Sequence, residues 1–209
     1  MKRTINFRLI AITDRKLCKG SSVIDRIMSI CKEGVRAVQV REKDLSEAEL
    51  LSLSKGLRTI TLSFRSSLII NDRLDIALLS RSDAVHIPEN GLPLNILKQY
   101  RKKLLFGKST HSVESAVHAE EDGFDYIMFG PVFRTSTKVK YGKPLGLKKL
   151  NEVCGSVSIP VFAVGGITPG RAKKCIDHGA YGVAVISALM KSENLNHTIK
   201  DFKQALGDL

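Results

Sequence analysis

The sequence predicts a single (β/α)8 barrel, the TIM-barrel fold, over residues 1–209. Short apolar runs rich in Val and Ile alternate with longer segments of helical periodicity, which is typical of βα units around a parallel sheet. Eight such runs can be counted, and eight units in a chain of this length favour a closed barrel over an open doubly wound sheet. A pattern of a helix end, a glycine and a strand recurs three times, as KEGVRAVQV, EDGFDYIMFG and DHGAYGVAVI. This recurrence indicates that one structural unit is repeated.

The predicted strands are short, and most pairs are separated by a segment long enough for a helix. They cover residues 9–12, 37–40, 68–70, 84–87, 104–106, 126–129, 161–164 and 182–185. The predicted helices cover residues 22–32, 46–61, 94–102, 112–122, 147–154, 168–178 and 194–206. The eighth strand is expected to lead into one more helix after Ser187.

Several predicted helix ends carry residues that such ends favour. The expected N-caps are Ser46, Ser112 and Thr168. Of these, Ser46 and Thr168 lack the ideal capping-box partner. A left-handed residue is wanted where a helix ends before a strand. The residues at such positions are Gly34, Gly123 and Gly179.

The composition is that of an ordinary globular protein with a basic charge balance. The chain has 33 Lys and Arg residues against 21 Asp and Glu residues, a formal net charge of +12. The basic residues are spread along helices and loops, aromatic residues are only 6% of the chain and Trp is absent. Because no basic and aromatic stacking platform is visible, we expect anionic metabolites rather than nucleic acid as ligands.

Neither disulfides nor a membrane segment are expected. The four cysteines share no C-x-x-C spacing, which indicates free thiols. No apolar run approaches the ~18 residues of a spanning helix, and the N-terminal apolar run is too short for a good signal peptide. We therefore expect a cytoplasmic protein that does not bind membranes. The sequence leaves its oligomeric state open, with a homo-oligomer allowed.

Polar residues follow the second and third predicted strands, where a barrel carries its chemistry. Strand alternation sends Gln39, Arg41 and Lys43 to one side of the chain, and two cations on one face suit a diphosphate better than packing. Asn71 and Asp72 follow the third strand. Asp72 could be a helix N-cap or a Mg²⁺ ligand beside a diphosphate, and taken alone the N-cap is favoured.

The later loops also carry groups that bind anions. The loop over residues 107–112 offers hydroxyl groups and His111, a residue more often structural than catalytic at such a position. The loop after the sixth strand carries Thr135, Thr137 and Lys138. Glycines at 165 and 166, together with the expected helix start after strand eight, predict an anion nest where TIM barrels commonly bind phosphate.

These motifs together resemble one family. From about residue 9 to residue 188 the chain resembles the thiamine phosphate synthase/TenI superfamily, through VQVREKD, IINDRLDIA, GKSTHS, GPVFRTSTK, PLGL, VGGIT and VAVIS. The resemblance implies that hydroxymethylpyrimidine diphosphate and a thiazole phosphate are joined to give thiamine phosphate and diphosphate. In this family the diphosphate leaves first, and the thiazole nitrogen then attacks the stabilised pyrimidine cation.

The resemblance also implies roles for individual residues. The residues that would hold the pyrimidine diphosphate are Gln39, Arg41, Lys43, Asn71, Ser109 and Lys138, with Asp72 on Mg²⁺. The residues that would hold the thiazole phosphate are Thr135, Thr137, Gly166, Ile186 and Ser187. Because such catalysis is mainly positioning and neutralisation of leaving-group charge, Arg41, Lys43 and Lys138 are the expected catalytic residues.

One departure from the synthase pattern affects the metal. Gly91 stands where the synthases carry a second Mg²⁺-binding Asp, so the metal site is expected to be weakened. Glu89 is the expected replacement ligand. The substitution Gly91→Asp is expected to restore Mg²⁺ binding. The segment HIPEN is closer to TenI-type proteins, yet Pro131 stands at the position of the tautomerase's catalytic His. Three hypotheses remain: a synthase, a TenI-like thiazole phosphate tautomerase, and a non-catalytic phosphate-binding regulator.

Overall fold

The computed structural model describes residues 5–135 and 143–207. Eight parallel strands close into a barrel in the order β1 to β8, with β8 paired to β1. The strands are β1 Leu9–Ile12, β2 Ala37–Val40, β3 Ser67–Asn71, β4 Ala84–Ile87, β5 Leu105–Thr110, β6 Tyr126–Phe129, β7 Val161–Val164 and β8 Gly182–Val185. The predicted (β/α)8 barrel is confirmed.

Helices follow the strands around the outside of the barrel. They are α1 Val23–Lys32, α2 Glu47–Ser63, α3 Leu74–Leu79, α4 Leu94–Leu97, α5 Val113–Asp122, α6 Gly146–Ser156, α7 Pro169–Asp177, α8 Ser187–Met190 and α9 Leu195–Leu206. Short 3₁₀ turns occur at Arg15–Leu17 and Lys98–Tyr100. Within the described ranges, none of the helices combines the length and apolar character that a membrane span requires.

The predicted helix ends are largely confirmed. Ser46 and Ser112 accept N-cap hydrogen bonds, while Thr168 occupies the N-cap position without a side-chain bond. The expectation that Ser46 lacks a capping-box partner is wrong, because the Glu49 carboxylate accepts the Ser46 backbone N–H at 2.9 Å. The three glycines at helix ends all have positive φ, with values of 88° to 90°.

Three predicted boundaries are corrected. Strand β5 runs on to Thr110, so Ser109 lies on a strand and not in a loop, because residues 107–110 pair with β6. The helix predicted over residues 94–102 ends at Leu97 and continues as a 3₁₀ turn. Asp72 is not an N-cap, because Arg73 occupies that position in front of α3.

The barrel interior changes from apolar to polar along its axis. Alternate strand residues point inward and form a buried cluster that includes Ile10, Ile69, Leu105, Tyr126 and Phe162. Gly107 leaves room for the Tyr126 ring, since a Cβ at position 107 would lie 2.1 Å from its Cζ. Gln39 and His86 stand two positions beyond inward-facing alanines and are also buried. The carboxyl ends of the strands therefore meet at a polar layer above an aromatic floor.

Candidate active site

A cavity of about 570 Å³ opens at the carboxyl ends of β2 to β5. It is lined by predicted site residues at the carboxyl ends of four successive strands and in the loops that follow them. These residues are Arg41, Lys43, Asn71, Asp72, Glu89, Ser109 and His111. The structure thus brings together most of the residues assigned from the sequence to the pyrimidine diphosphate.

The positive charge of this cavity is not neutralised by the protein's own carboxylates. Among the described residues, neither Arg41 nor Lys43 forms a side-chain ion pair, although Glu42 stands between them. The Glu42 carboxylate instead accepts two hydrogen bonds from Arg15. One comes from the Arg15 backbone N–H at 3.0 Å, and the other comes from Arg15 Nη1 at 3.1 Å. Sequence reasoning did not identify Arg15, because it lies 27 residues away and no local pattern connects it to Glu42. Two cations therefore remain available for an anionic ligand.

Gln39 and Asn71 form an amide pair at the edge of the cavity. Gln39 Nε2 donates to Asn71 Oδ1 at 3.1 Å, which fixes the orientation of the buried Gln39 amide. Gln39 Oε1 is buried and has no hydrogen-bond donor among the described residues. A buried acceptor without a donor is costly, so this oxygen is suited to receive an N–H group from a ligand.

Ser109 is held by a residue that was not singled out from the sequence. Its hydroxyl lies 2.8 Å from His86 Nε2, and the His86 ring stacks on Tyr126 with the ring centroids 5.7 Å apart. The alternation of β4 could have indicated that His86 points inward, because Ala84 lies two residues before it on the same face. The contact orients the Ser109 hydroxyl at the top of the barrel.

Asp72 presents a carboxylate to the cavity. Its backbone has φ 64°, a left-handed conformation that Asp tolerates better than most residues. The Asp72 backbone N–H donates to the His86 carbonyl at 2.9 Å. Partial burial raises the pKa of the Asp72 carboxyl, and the positive charges of Lys43 and Arg73 partly offset the shift. No described residue forms a side-chain hydrogen bond or ion pair with it, which fits a metal ligand.

The turn after β4 leaves no space for a carboxylate side chain at position 91. Gly91 N–H donates to the Pro88 carbonyl at 2.8 Å, which closes a tight turn. A Cβ at position 91 would lie 2.5 Å from Ile87 Cγ2 and 3.0 Å from the Pro88 carbonyl oxygen. The expectation that Gly91→Asp would restore the metal site is therefore revised, because the space for that side chain is filled.

Glu89 lies in the cavity but already has a partner. Its Oε1 accepts the backbone N–H of His111 at 3.1 Å, and its Oε2 lies 4.0 Å from His111 Nε2. Within the described residues, no group of three or more His, Cys, Asp or Glu side chains is arranged to hold a metal. Any Mg²⁺ here would take most of its ligands from a diphosphate and water, which is common for this ion.

A second, smaller pocket lies at the ends of β7 and β8. It is lined by the predicted phosphate-binding residues Thr135, Gly166, Ile186 and Ser187, together with Gly165. Its volume of about 30 Å³ fits a small group rather than a whole substrate. Leu189 and Met190 donate their backbone N–H groups to the Ile186 carbonyl at 3.1 and 2.9 Å, so the N–H groups of Ser187 and Ala188 are the ones suited to an anion at this position.

The loop after β6 forms one wall of the smaller pocket. Val132 and Phe133 donate their backbone N–H groups to the carbonyls of Val164 and Gly165 at 2.9 and 3.1 Å. Gly166 has φ 65°, and a Cβ there would lie 2.5 Å from the Arg134 carbonyl oxygen. The close approach of the two backbones requires glycine. Thr137 and Lys138 lie outside the described residues.

Comparison with known proteins agrees with this architecture. The sequence pattern of the family described as thiamine monophosphate synthase matches residues 9–189. A relative from Aquifex aeolicus, whose name contains the words thiamine-phosphate synthase, is 45% identical over 184 residues, which are 88% of this chain and 98% of that one. Thiamine-phosphate synthase from Clostridium novyi is 34% identical over 197 residues, covering 94% and 97% of the two chains.

A solved structure matches over nearly the whole length. Thiamine phosphate pyrophosphorylase from Pyrococcus furiosus superposes with a TM-score of 0.86 at 31% identity, and the match covers 96% of this chain and 95% of that one. The family pattern spans all eight strands and both pockets. The chain belongs to the thiamine monophosphate synthase family.

Proposed function

We propose that this protein is a transferase that joins hydroxymethylpyrimidine diphosphate and thiazole phosphate to give thiamine phosphate and diphosphate. The observation that carries the proposal is the pair of cations, Arg41 and Lys43, that face the large cavity without a carboxylate partner among the described residues. Arg41 is partly buried and Lys43 is exposed, and two neighbouring cations at a cavity wall favour a multiply charged anion. The names of the relatives point to the same substrates.

The pyrimidine diphosphate would occupy the large cavity. Arg41 and Lys43 would donate to the diphosphate oxygens, and the Gln39 and Asn71 amides and the Ser109 hydroxyl would orient the ring and its linkage. Gln39 Oε1 would accept a hydrogen bond from the amino group of the pyrimidine, which supplies the missing donor. The thiazole phosphate would place its phosphate at Gly166 and Ser187, with Thr135 beside it.

The residues would accelerate the reaction by stabilising charge. As the bond between the pyrimidine methylene carbon and the diphosphate oxygen breaks, its electron pair goes to the leaving group, whose growing charge Arg41 and Lys43 neutralise. The thiazole nitrogen then supplies the electron pair of the new C–N bond. Holding both substrates in one orientation reduces the entropic part of the barrier.

Asp72 is proposed to hold Mg²⁺ beside the diphosphate. The carboxylate fits this role through its position in the cavity and its lack of a described partner. The other carboxylates in the lining are Glu89 and Glu42, and Glu42 is already engaged by Arg15. When bound, Mg²⁺ would neutralise charge on the diphosphate oxygens. The tautomerase alternative receives less support, because Pro131 provides no titratable group at the position where a tautomerase carries its His.

The test is product formation from the two substrates. Purified protein with hydroxymethylpyrimidine diphosphate, thiazole phosphate and Mg²⁺ should release thiamine phosphate and diphosphate in equal amounts, and no product should form when either substrate is omitted. A folded protein that forms no thiamine phosphate at any Mg²⁺ concentration would overturn the transferase proposal. Conversion of the thiazole phosphate alone to its tautomer would then favour the isomerase.

A further inference from the structure

His111 lies between the two candidate substrate sites. It directly follows β5, it lines the large cavity, and its Nδ1 contacts the carbonyl oxygen of Gly130 at the end of β6. A carbonyl oxygen can only accept a hydrogen bond, so Nδ1 is the donor in this contact. The proposed synthase chemistry does not use this side chain, and its contacts therefore need a separate explanation.

On one side, His111 is connected to the diphosphate cavity through Glu89. The Glu89 carboxylate accepts the His111 backbone N–H at 3.1 Å and has its other oxygen 4.0 Å from Nε2. The Ser115 hydroxyl accepts the same N–H at 3.2 Å. Because Glu89 is a carboxylate in a cavity lined by Arg41 and Lys43, any charge bound there acts on it electrostatically.

On the other side, His111 is connected to the phosphate pocket through the loop that begins at Gly130. This loop donates backbone hydrogen bonds to Val164 and Gly165, and its Arg134 carbonyl packs against Gly166. Residue Thr135 of the same loop lines the pocket. A displacement of the Gly130 carbonyl would therefore move the wall against which the thiazole phosphate binds.

We propose that His111 is a positioning residue that couples the two substrate sites. Diphosphate binding acts on Glu89, Glu89 sets the position of His111, and His111 holds the Gly130 carbonyl and with it the wall of the phosphate pocket. The inference rests on the proposed function. It predicts that each ligand raises the affinity for the other by the same factor, as thermodynamic linkage requires. The reactive pyrimidine cation would then form mainly when the thiazole is already in place.

The coupling can be measured without turnover. Diphosphate and thiazole phosphate cannot react with each other, so calorimetry can give the Kd of thiazole phosphate with and without saturating diphosphate and Mg²⁺. In the wild-type protein we expect diphosphate to lower this Kd by about fivefold or more, the lower end of typical coupling. His111→Ala should bring the ratio of the two Kd values to one.

Conservative variants separate positioning from a general loss of structure. In His111→Asn, the side-chain amide N–H can still donate to Gly130, so part of the coupling should return. Glu89→Gln keeps an acceptor for the His111 N–H but removes the charge on which diphosphate acts, so Glu89→Gln and Glu89→Ala should both lose the coupling. His118→Ala makes the same change at an exposed position of α5 and should behave as the wild type.

The outcomes separate this inference from the proposed function. If the wild-type protein binds neither ligand, the proposed function fails. If it binds both ligands but its two Kd values are equal, or if diphosphate weakens thiazole phosphate binding, only the coupling is overturned. Wild-type coupling in a folded His111→Ala or Glu89→Ala protein would equally overturn it. Should His111→Ala not fold, Glu89→Ala decides the question.

Discussion

Arg15 holds Glu42 in the lining of the large cavity, and this contact engages the carboxylate that stands between Arg41 and Lys43 in the sequence. Glu42 is 6% exposed, and its carboxylate accepts two hydrogen bonds from Arg15. Arg15 is itself shared with Asp44, and this contact holds the pKa of the Asp44 carboxyl well below its usual range. Because Glu42 and Asp44, the carboxylates on either side of Lys43 in the sequence, are already engaged by Arg15, the two cations can act on a ligand.

Arg41→Ala should therefore weaken diphosphate binding strongly. A charge-assisted hydrogen bond contributes roughly 1.5–3 kcal/mol, which corresponds to about a 10- to 100-fold change in Kd. Lys173→Ala is the control, because Lys173 is an exposed helix residue paired with Asp177 at 3.2 Å and should have little effect. Calorimetric titration with diphosphate compares the two variants. Equal, small effects would mean that the net charge of the chain acts diffusely and that the assigned site is wrong.

Asp72→Asn should weaken Mg²⁺ binding and leave the folded protein at least as stable as the wild type at pH 7. Burial raises the pKa of Asp72, so in the folded state the charged form is penalised relative to the unfolded chain. The penalty is absent below the unfolded pKa of about 3.9, grows as the pH rises towards the folded pKa and is complete above it. At pH 7 the variant should have a Tm equal to or above that of the wild type.

The same variant should bind Mg²⁺ and diphosphate together at least about tenfold more weakly, because a charged ligand is lost. Thermal melts at pH 3 and pH 7, with calorimetry in Mg²⁺, test both parts. A variant that is less stable at pH 7 than at pH 3, relative to the wild type, would contradict the stability argument. Unchanged Mg²⁺-dependent binding would contradict the metal assignment.

Gly166→Ala should damage the phosphate pocket. The new Cβ would meet the Arg134 carbonyl at 2.5 Å, and a left-handed φ costs a non-glycine residue about 1 kcal/mol. We expect a lower Tm and at least about tenfold weaker binding of thiazole phosphate. Gly170→Ala is the matched control, because its Cβ meets nothing within 4 Å and its φ is not left-handed. If both variants bind thiazole phosphate equally well, the phosphate lies elsewhere.

Gly91→Asp should destabilise the protein without improving Mg²⁺ binding. Its Cβ would collide with the buried Ile87 side chain, and such overpacking costs about 1–3 kcal/mol. Asn90→Asp adds the same charge at an exposed neighbouring position that also lines the cavity. We expect this control to keep its Tm and to bind Mg²⁺ with diphosphate more tightly. A stable Gly91→Asp protein with tighter Mg²⁺ binding would show that the turn after β4 can open.

The fold could be predicted from sequence because its strands are buried on both faces. Runs such as Tyr126–Phe129 and Val161–Val164 are wholly apolar, and their bounds agree with the structure. Strand β5 was predicted too short because Lys108, Ser109 and Thr110 are polar and resemble a loop. Their pairing with β6 becomes visible only in three dimensions. Helix α3 has six residues, too few for helical periodicity to be recognised.

The candidate site was predicted in part. The position of Arg41 and Lys43 at one cavity agrees with strand alternation, whereas the anion nest at the two glycines stays a prediction. The contact of Arg15 with Glu42 could not be predicted, because it joins two separate loops. The sequence also indicated that Gly91 removes a carboxylate. Only the packing of Ile87 explains why a carboxylate cannot simply be added back.

The aromatic floor of the barrel also controls how molecules enter and leave. Tyr126 and Phe162 are fully buried beneath the polar layer, and Phe7 closes the interior further down. A ligand that reaches Gln39 therefore cannot pass through the barrel and must return through the opening by which it came. Substrates and products share one entrance between the loops. A bound product therefore blocks the entry of the next substrates, and thiamine phosphate and diphosphate must both leave before a new turnover can begin.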